Sequence, residues 1–493
     1  MKTTITFLFF LVTASVFAAD QRPNIVFILA DDLGVNDVGA FNPKTFYETP
    51  NIDQLAKDGI CFTSAYAACN VCSPTRYSIQ TGRYPARAGL TNFLAGVRSE
   101  KYEPAELQRF MPLEEITIGE AFHEAGYQTA LIGKWHLGDV KQYGPQHQGY
   151  DVVSGDTRYI APSIKNLTLP EYPPINRNNT QNLIETKTTR AADDALLTLD
   201  AFGKSDQPFL LFLTLYQVHV PLGAAEKYIA PYREKKERLG LQDNPDLDFI
   251  GEEQVFVTDE PRKARIRQNH LTYAGMISHM DETVGRVLKK LEELHLNENT
   301  IVVFMSDNGG LTTAEGSPTS NLPFRNGKGW NYEGGVREPL IIRWTKTIKS
   351  GSVNDTPIIS TDFYPTLLEA AEIPLKPKQH LDGISFLTLL KGGKSLPQRP
   401  LFWHYPHYSN QGGFPSSSVR FGDWKLIQRL EDGRTHLYNI KDDVGEQNDL
   451  ADKYTEKVIE LQRLLFDWYT ETDALFLQPK DGKTPWQPMT DQY

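Results

Sequence analysis

The chain has 493 residues, which exceeds the size at which a single hydrophobic core stops growing, so we expect two domains. Its hydrophobic content of 40% and aromatic content of 11% are those of an ordinary globular protein. A net charge of −11 argues against general nucleic-acid binding, so an anionic substrate would need a local basic pocket.

The N-terminal segment has the pattern of a secretory signal peptide over residues 1–19. Lys2 precedes the apolar run Ile5 to Val12, and Val16 to Ala18 has the small-residue pattern of a cleavage site. Cleavage after Ala18 or Ala19 would release an exported protein, secreted or periplasmic. The apolar run is too short to span a bilayer, so we expect no stable membrane insertion.

Short apolar runs rich in β-branched residues recur between helical patterns, which predicts an α/β fold with a large, mostly parallel sheet. The predicted strands are Asn24 to Ala30, Gln128 to Gly133, Pro208 to Tyr216, Thr300 to Ser306 and Leu340 to Trp344. The predicted helices are Asn51 to Asp58, Glu115 to Ala125, Leu271 to Leu294 and Asp362 to Ala371. The Pro- and Asn-rich stretch Ala161 to Asn182 is predicted to be a long loop.

Polar residues stand shortly after four of the predicted strands. In chain order these are Asp31 and Asp32, Lys134 and His136, His219, and Asp307 and Asn308. Ligands of open α/β sheets bind beyond the carboxyl ends of the strands, so we predict one site that contains all of them. The carboxylate and amide side chains supply hard oxygen ligands, which calcium and magnesium prefer.

Cys72 stands at the start of a predicted helix, with Pro74 in its first turn, where the missing N–H costs nothing. Arg76 follows four residues later, so both side chains share one helix face. The helix N-terminus adds free N–H groups and a partial positive charge, which favour a bound oxyanion. Other interpretations of Cys72 are a redox pair with Cys69, half of a zinc site, and an inert buried thiol.

Three further segments place cationic or titratable side chains where a ligand can approach. Lys134 and His136 lie between two glycines, and on an extended backbone they point to the same side. His219 begins a His-x-Pro segment. Lys328 lies between two glycines within the run Arg325 to Arg337.

The pattern Cys-x-Pro-Thr-Arg-x4-Thr-Gly, from Cys72 to Gly82, resembles the core motif of the type I sulfatases. Further resemblances to that family lie at Asp31-Asp32, Asp307-Asn308, Lys134, His219 and Lys328. The resemblance extends from Asn24 to about Leu450. It implies an alkaline-phosphatase-like α/β sandwich with a smaller C-terminal domain, and hydrolysis of sulfate esters.

The same resemblance implies that a formylglycine-generating maturation enzyme converts Cys72 to formylglycine (3-oxoalanine), whose hydrate attacks sulfur. One divalent cation, calcium with magnesium as the alternative, would be held by the modified Cys72, Asp31, Asp32, Asp307 and Asn308. Charge on the sulfate oxygens would be stabilised by Arg76, Lys134 and Lys328. His136 would contact the hydroxyl of the nucleophile and act as base during sulfate release, and His219 would protonate the leaving alcohol.

The character of the sequence changes after about Gly383, which predicts a catalytic domain over residues 20–383 and a C-terminal subdomain over residues 384–493. The predicted strands of the subdomain are Leu401 to Tyr405, Ser417 to Phe421, Trp424 to Arg429 and His436 to Ile440. A helical pattern follows from Lys453 to Tyr469. We therefore expect a small α+β domain with an antiparallel sheet and one helix.

The substrate is predicted to be a sulfated carbohydrate, such as an external glycan or polysaccharide. Trp330, His404 and His407 are suited to contact a sugar, and core packing is the alternative for the neighbouring Trp403 and Tyr405. Two other functions remain open at this point. One is a phosphoester hydrolase of the same fold, and the other is a non-catalytic sulfated-glycan-binding protein in which Cys72 stays unmodified.

Overall fold

The computed structural model describes residues 22–175, 183–258 and 260–488. The predicted signal peptide, residues 1–19, lies outside these ranges, as do residues 176–182 at the end of the predicted long loop. Within these ranges, no helix is both long enough and apolar enough to cross a bilayer.

A ten-stranded sheet forms the centre of the larger part of the molecule. The first twelve strands of the chain are β1 Asn24–Ala30, β2 Ile60–Tyr66, β3 Gln128–Gly133, β4 Val152–Gly155, β5 Tyr159–Ile160, β6 Phe209–Thr214, β7 Phe249–Gly251, β8 Lys263–Arg265, β9 Thr300–Ser306, β10 Arg337–Arg343, β11 Ser352–Asn354 and β12 Ile358–Ile359. The strand order is β11-β2-β10-β9-β1-β6-β3-β4-β5, with β12 also paired to β2, while β7 and β8 form a separate hairpin. The central strands β9, β1, β6, β3 and β4 run parallel to one another.

Helices cover both faces of this sheet. The helices are α1 Pro50–Asp58, α2 Cys72–Thr81, α3 Ile118–Glu124, α4 Leu183–Phe202, α5 Glu226–Arg238, α6 Pro245–Asp248, α7 Leu271–Glu293, α8 Glu333–Val336, α9 Phe363–Ala370, α10 Leu387–Leu390 and α11 Thr455–Thr472. Val26 and Ile28 of β1 pack on the side of α1, α4 and α7, whereas Ile25 and Phe27 pack on the side of α2, α3 and α9. A strand buried on both faces needs a continuous apolar sequence, and this is why β1 could be predicted from its apolar run.

The C-terminal part of the chain forms a four-stranded antiparallel sheet with one long helix against it. Its strands are β13 Leu401–Tyr405, β14 Ser416–Phe421, β15 Trp424–Arg429 and β16 Thr435–Asn439, and α11 is the helix. The α/β fold with a small antiparallel subdomain is thus confirmed. The exact boundary between residues 383 and 384 stays a prediction.

A buried ionic cluster joins the two parts. The Lys425 ammonium lies 3.0 Å from Glu333 Oε1 and 3.1 Å from Glu446 Oε1, and all three side chains are fully buried. Glu333 belongs to α8, just before β10 of the large sheet, whereas Lys425 belongs to β15. The ion pairs therefore connect the small sheet to the segment that carries Lys328.

Candidate active site

Four neighbouring parallel strands end at one edge of the large sheet. Ala30 of β1 pairs with Ser306 of β9, and Thr214 of β6 pairs with Leu29 of β1 and with Gly133 of β3. Backbone hydrogen bonds continue beyond the strands, from Asp307 N to Ala30 O at 3.1 Å and from Lys134 N to Thr214 O at 2.9 Å. The side chains that follow these strands, predicted from sequence to share a site, are brought together here.

The acidic cluster consists of Asp31, Asp32, Asp307 and Asn308, each at most 1% exposed. Asn308 Nδ2 donates to Asp32 Oδ1 at 2.8 Å, and the backbone N–H of Asp32 donates to Asp307 Oδ1 at 3.3 Å. Burial and the neighbouring Asp31 raise the pKa of Asp307 well above its usual value. Burial alone would also raise the pKa of Asp31, but the surrounding cations, Lys134 first, hold that pKa well below its usual range.

Three cations surround these carboxylates. Lys134 Nζ lies 2.5 Å from Asp31 Oδ2, and Lys328 Nζ lies 2.7 Å from Asp32 Oδ2. Arg76 donates from Nε to Asp307 Oδ2 at 2.8 Å and from Nη1 to the Lys134 carbonyl oxygen at 3.0 Å. Burial would lower the pKa of both lysines, yet the carboxylates raise it overall, so the lysines remain charged.

Cys72 is the first residue of α2, as its position before Pro74 predicts. Its thiol is 1% exposed and lies 3.2 Å from His136 Nδ1. The preceding residue, Val71, offers no side-chain cap, so the N–H groups of the first turn have no capping partner from it. Burial, followed by the charges of Lys134 and Arg76, lowers the pKa of His136 well below its ordinary value, so the imidazole beside the thiol is neutral.

His219 approaches the cluster from the segment after β6. Its Nδ1 lies 2.7 Å from the carbonyl oxygen of Val220, which can only accept, so Nδ1–H is the donor. Its Nε2 lies 3.6 Å from Asp32 Oδ2 and faces the site. Burial and the charge of Lys328 lower the pKa of His219, while Asp32 acts in the opposite direction. The side chain is 27% exposed, against 11% for Lys134 and 4% for Lys328.

A cavity of about 540 Å³ opens above these groups. Its floor includes Asp31, Cys72, Lys134, His136, His219 and Lys328. Its polar walls are Asp156, Lys187, Glu315, Asn410 and Gln411, none of which sequence reasoning had assigned to the site. Asn410 and Gln411 come from the C-terminal part of the chain and Lys187 from α4, so both parts of the molecule form the cavity.

A sequence profile of the sulfatase family matches residues 23–373. The chain belongs to the sulfatase family. A second profile, described as N-sulphoglucosamine sulphohydrolase, C-terminal, matches residues 326–468 and so includes the small antiparallel sheet. The protein is therefore a sulfuric ester hydrolase.

Relatives of this sulfatase align over most of the chain. A sulfatase of Formosa agariphila is 31% identical and covers 90% of this chain and 87% of its own length. The N-acetylgalactosamine-6-sulfatase of Mus musculus is 30% identical over 78% of this chain and 69% of its own. Among solved structures, that of Ps i-CgsB in complex with k-i-k-neocarrahexaose has a TM-score of 0.70, 27% identity, and coverage of 91% and 92%.

The acidic cluster of this sulfatase fits a divalent cation. Ligand atoms of Asp31, Cys72 and Asp307 lie within 4.8 Å of one another. Two oxygen acceptors of the cluster, Asp31 Oδ1 and Asn308 Oδ1, are buried without a hydrogen-bond donor in the described part of the chain. Carboxylate and amide oxygens are the donors that calcium and magnesium prefer, and a cation would offset the repulsion that raises the pKa of Asp307.

The predicted sugar contacts of the sulfatase need correction, because all three side chains are buried. His404 is 4% exposed, with Nδ1 2.6 Å from Ser417 Oγ and Nε2 2.7 Å from the Leu475 carbonyl oxygen. His407 is 1% exposed and lies 2.8 Å from Thr91 Oγ1. Neither histidine has a face left for a sugar, so the prediction that they contact substrate is wrong.

Trp330 is also interior, at 1% exposure, and it stacks near Tyr332 and Phe414. Its indole N–H donates to Thr313 Oγ1 at 3.2 Å and to the Gln411 carbonyl oxygen at 3.3 Å. Trp330 therefore supports the cavity wall at Gln411 from behind and does not line the cavity. Trp403 and Tyr405 are buried as well, as the alternative of core packing predicted.

Proposed function

We propose that the protein is an exported sulfatase that removes O-sulfate groups from carbohydrates, with a formylglycine made from Cys72 as nucleophile and one calcium ion as cofactor. The observation that carries the proposal is the position of Cys72. Its Sγ lies 3.2 Å from a neutral His136, at a helix N-terminus, in a cavity floor that also contains Lys134 and Lys328. A sulfate ester group placed there would meet the ammonium groups of both lysines and the N–H groups of the helix N-terminus.

Each cation of the floor has a distinct position for sulfate binding. Lys134 forms an ion pair with Asp31, and Lys328 forms one with Asp32. Both lysines line the cavity. Arg76 lies beneath, fixed by Asp307 and by the backbone at Lys134. Because their partners hold them in place before substrate arrives, they can stabilise charge on the sulfuryl oxygens at little reorganisation cost.

The proposed mechanism also needs a modified residue at position 72 and a bound metal ion. A formylglycine hydrate at position 72 would supply one hydroxyl to attack sulfur and a second to release sulfate afterwards. A calcium ion held by Asp31, Asp32, Asp307 and Asn308 would act as a Lewis acid toward the sulfate. The neutral His136 would take a proton from the residue at position 72, with which it is already in contact.

His219 is the candidate for the general acid on the leaving alcohol. Its Nδ1–H is fixed by the Val220 carbonyl oxygen, so Nε2 is the nitrogen directed into the cavity. Burial and the charge of Lys328 lower the pKa of His219 overall, while Asp32, 3.6 Å away, acts toward the protonated imidazole that a general acid requires.

A carbohydrate leaving group is supported by the cavity walls and by the relatives. Asp156, Lys187, Glu315, Asn410 and Gln411 offer donors and acceptors for hydroxyl groups. One relative is an N-acetylgalactosamine-6-sulfatase, and one structural neighbour was solved in complex with a neocarrahexaose. We propose the same general class, an O-sulfated sugar, for this chain.

The test compares 4-nitrophenyl sulfate with 4-nitrophenyl phosphate, using protein co-expressed with a formylglycine-generating enzyme, and adds a panel of sulfated mono- and oligosaccharides. We expect kcat/KM to be higher for the sulfate, and at least one O-sulfated sugar to be desulfated. A higher value for the phosphate would instead support a phosphoester hydrolase of the same fold. Export is tested separately, by the N-terminal peptide mass of protein recovered outside the cytoplasm, which should begin at Ala19 or Asp20.

A further inference from the structure

A second, smaller cavity lies beside the catalytic one. It has a volume of about 330 Å³ and shares Lys187 and Tyr216 with the catalytic cavity. Tyr216 follows β6, and Ser154 and Gly155 of the second cavity end β4. The second cavity therefore continues the row of strand ends that forms the active site, at β4, the strand next to β3.

Three cations line this second cavity: Arg158, Lys187 and Arg190. Lys187 and Arg190 are three residues apart on α4, so they share one helix face. The Lys187 ammonium lies 4.3 Å from the centre of the Tyr216 ring, and the Arg190 guanidinium 4.8 Å from the centre of the Tyr172 ring. Each of these two cations is thus stabilised by a cation–π contact with an aromatic ring that also lines the second cavity.

The nearby carboxylates form no ion pair with these guanidinium groups within the described ranges, although the charge of Arg158 acts on Asp194. Asp156 accepts from the Tyr216 hydroxyl at 3.0 Å and lies 3.7 Å from Lys187 Nζ. Asp194 is 1% exposed and accepts from Tyr172 and from Ser154. Within the described ranges, neither Arg158 nor Arg190 forms an ion pair; Arg158 donates only to the Pro170 carbonyl oxygen. In a chain of net charge −11, two guanidinium groups without an ion-pair partner in the described ranges, beside the active site, need an explanation.

We propose that the second cavity is a subsite for an anionic group, a sulfate or a carboxylate, on the sugar next to the one that loses its sulfate. Guanidinium groups bind the oxygens of such anions through paired N–H donors. The natural substrate would then be an oligosaccharide with at least two anionic groups, and the charge of the neighbouring sugar would set specificity. This inference rests on the proposed function, because it takes the scissile sulfate to lie above Cys72.

The test measures binding as well as turnover, so that it does not depend on formylglycine. Cys72→Ser protein is titrated calorimetrically with three disaccharides that carry the same O-sulfate and differ in the neighbouring sugar, which bears a hydroxyl, a sulfate or a carboxylate. We expect the two charged disaccharides to bind about tenfold more tightly than the neutral one. This preference should shrink when salt is raised from about 0.05 to 0.5 M, because the cations are partly exposed.

Variants of Arg190 test whether its guanidinium group causes the preference for the charged disaccharides. Arg190→Met should abolish most of the preference, and Arg190→Lys should keep part of it, because it retains the charge without the paired donors. Lys204→Met is the matched control: it removes one positive charge two residues beyond the end of the same helix, about 25 Å from Lys187 along the axis, and should keep the preference.

Equal binding of all three disaccharides, or a full preference in Arg190→Met, would overturn the subsite. Turnover without any preference would reject the subsite and leave the sulfatase mechanism intact. A preference without turnover by the modified wild-type protein would reject the proposed chemistry and retain the subsite.

Discussion

Cys72 Sγ and His136 Nδ1 lie 3.2 Å apart, although they are 64 residues apart in sequence and belong to different elements. Cys72 begins α2, whereas His136 follows β3 with a φ of 58°, in the left-handed region that a non-glycine residue rarely adopts. Such strained backbone persists where the surrounding structure imposes it, often at functional sites. This contact supports our proposal that position 72 is the reacting end of the cavity.

Replacement of the nucleophile should separate folding from catalysis. Cys72→Ser should fold normally, because serine is close to cysteine in size, yet turnover of 4-nitrophenyl sulfate should fall by more than about a thousandfold, as for other lost nucleophiles. Cys61→Ser, the same exchange on β2, is the matched control and should retain turnover. Circular dichroism and kcat measure the two effects; near-normal turnover by Cys72→Ser would refute the assigned role.

Loss of the cation should abolish activity. Chelation should stop turnover and added calcium should restore it, because the buried oxygens Asp31 Oδ1 and Asn308 Oδ1 have no other donor among the described residues. Asp307→Asn, which removes one carboxylate, should lower both the bound metal, measured by elemental mass spectrometry, and the rate. The exposed Asp442→Asn is the control and should change neither. Full activity of Asp307→Asn without metal would remove the metal assignment.

Truncation of His404 should affect stability and not substrate choice. Both ring nitrogens are engaged, and the ring packs against Trp468, Tyr469 and Phe476. We expect His404→Ala to lower the free energy of unfolding by about 2–4 kcal/mol, from the cavity and the unpaired Ser417 hydroxyl. The kcat/KM values for a sulfated sugar and for 4-nitrophenyl sulfate should change by the same factor. A selective loss on the sugar would restore His404 as a substrate contact.

The buried ionic cluster between the two sheets should contribute strongly to the free energy of unfolding. Lys425→Met leaves Glu333 and Glu446 without their shared partner, so we expect unfolding in urea to become easier by about 3–5 kcal/mol. Lys441→Met removes the same charge from a side chain that is 71% exposed and should change stability by less than about 0.5 kcal/mol. Equal effects of the two substitutions would mean that the cluster contributes nothing to the interface.

The sequence allowed the strands and the site floor to be predicted because both depend on local patterns. β1, β3 and β9 match their predicted bounds, since a strand buried on both faces requires an unbroken apolar run. The polar residues just after such strands must meet at one sheet edge. The strand β2, Ile60–Tyr66, mixes polar and apolar residues and was not predicted, since its pairing with β10, β11 and β12 defines it.

The walls of the cavity could not be predicted in the same way. Asp156 follows a short strand and Lys187 lies on a helix, and neither stands in a pattern that differs from an ordinary surface. The error at His404 has a related cause. Strand β13 is covered by α11 and by the segment around Leu475, and only tertiary contacts decide which face of an edge strand remains accessible.

The most direct test of the account relates activity to the chemical state of residue 72. Preparations that differ in exposure to a formylglycine-generating enzyme would be analysed by the mass of the peptide containing Cys72 and by turnover of 4-nitrophenyl sulfate. We predict that kcat per protein rises in proportion to the converted fraction and extrapolates to zero for unmodified cysteine. A rate that does not depend on the converted fraction would contradict the account.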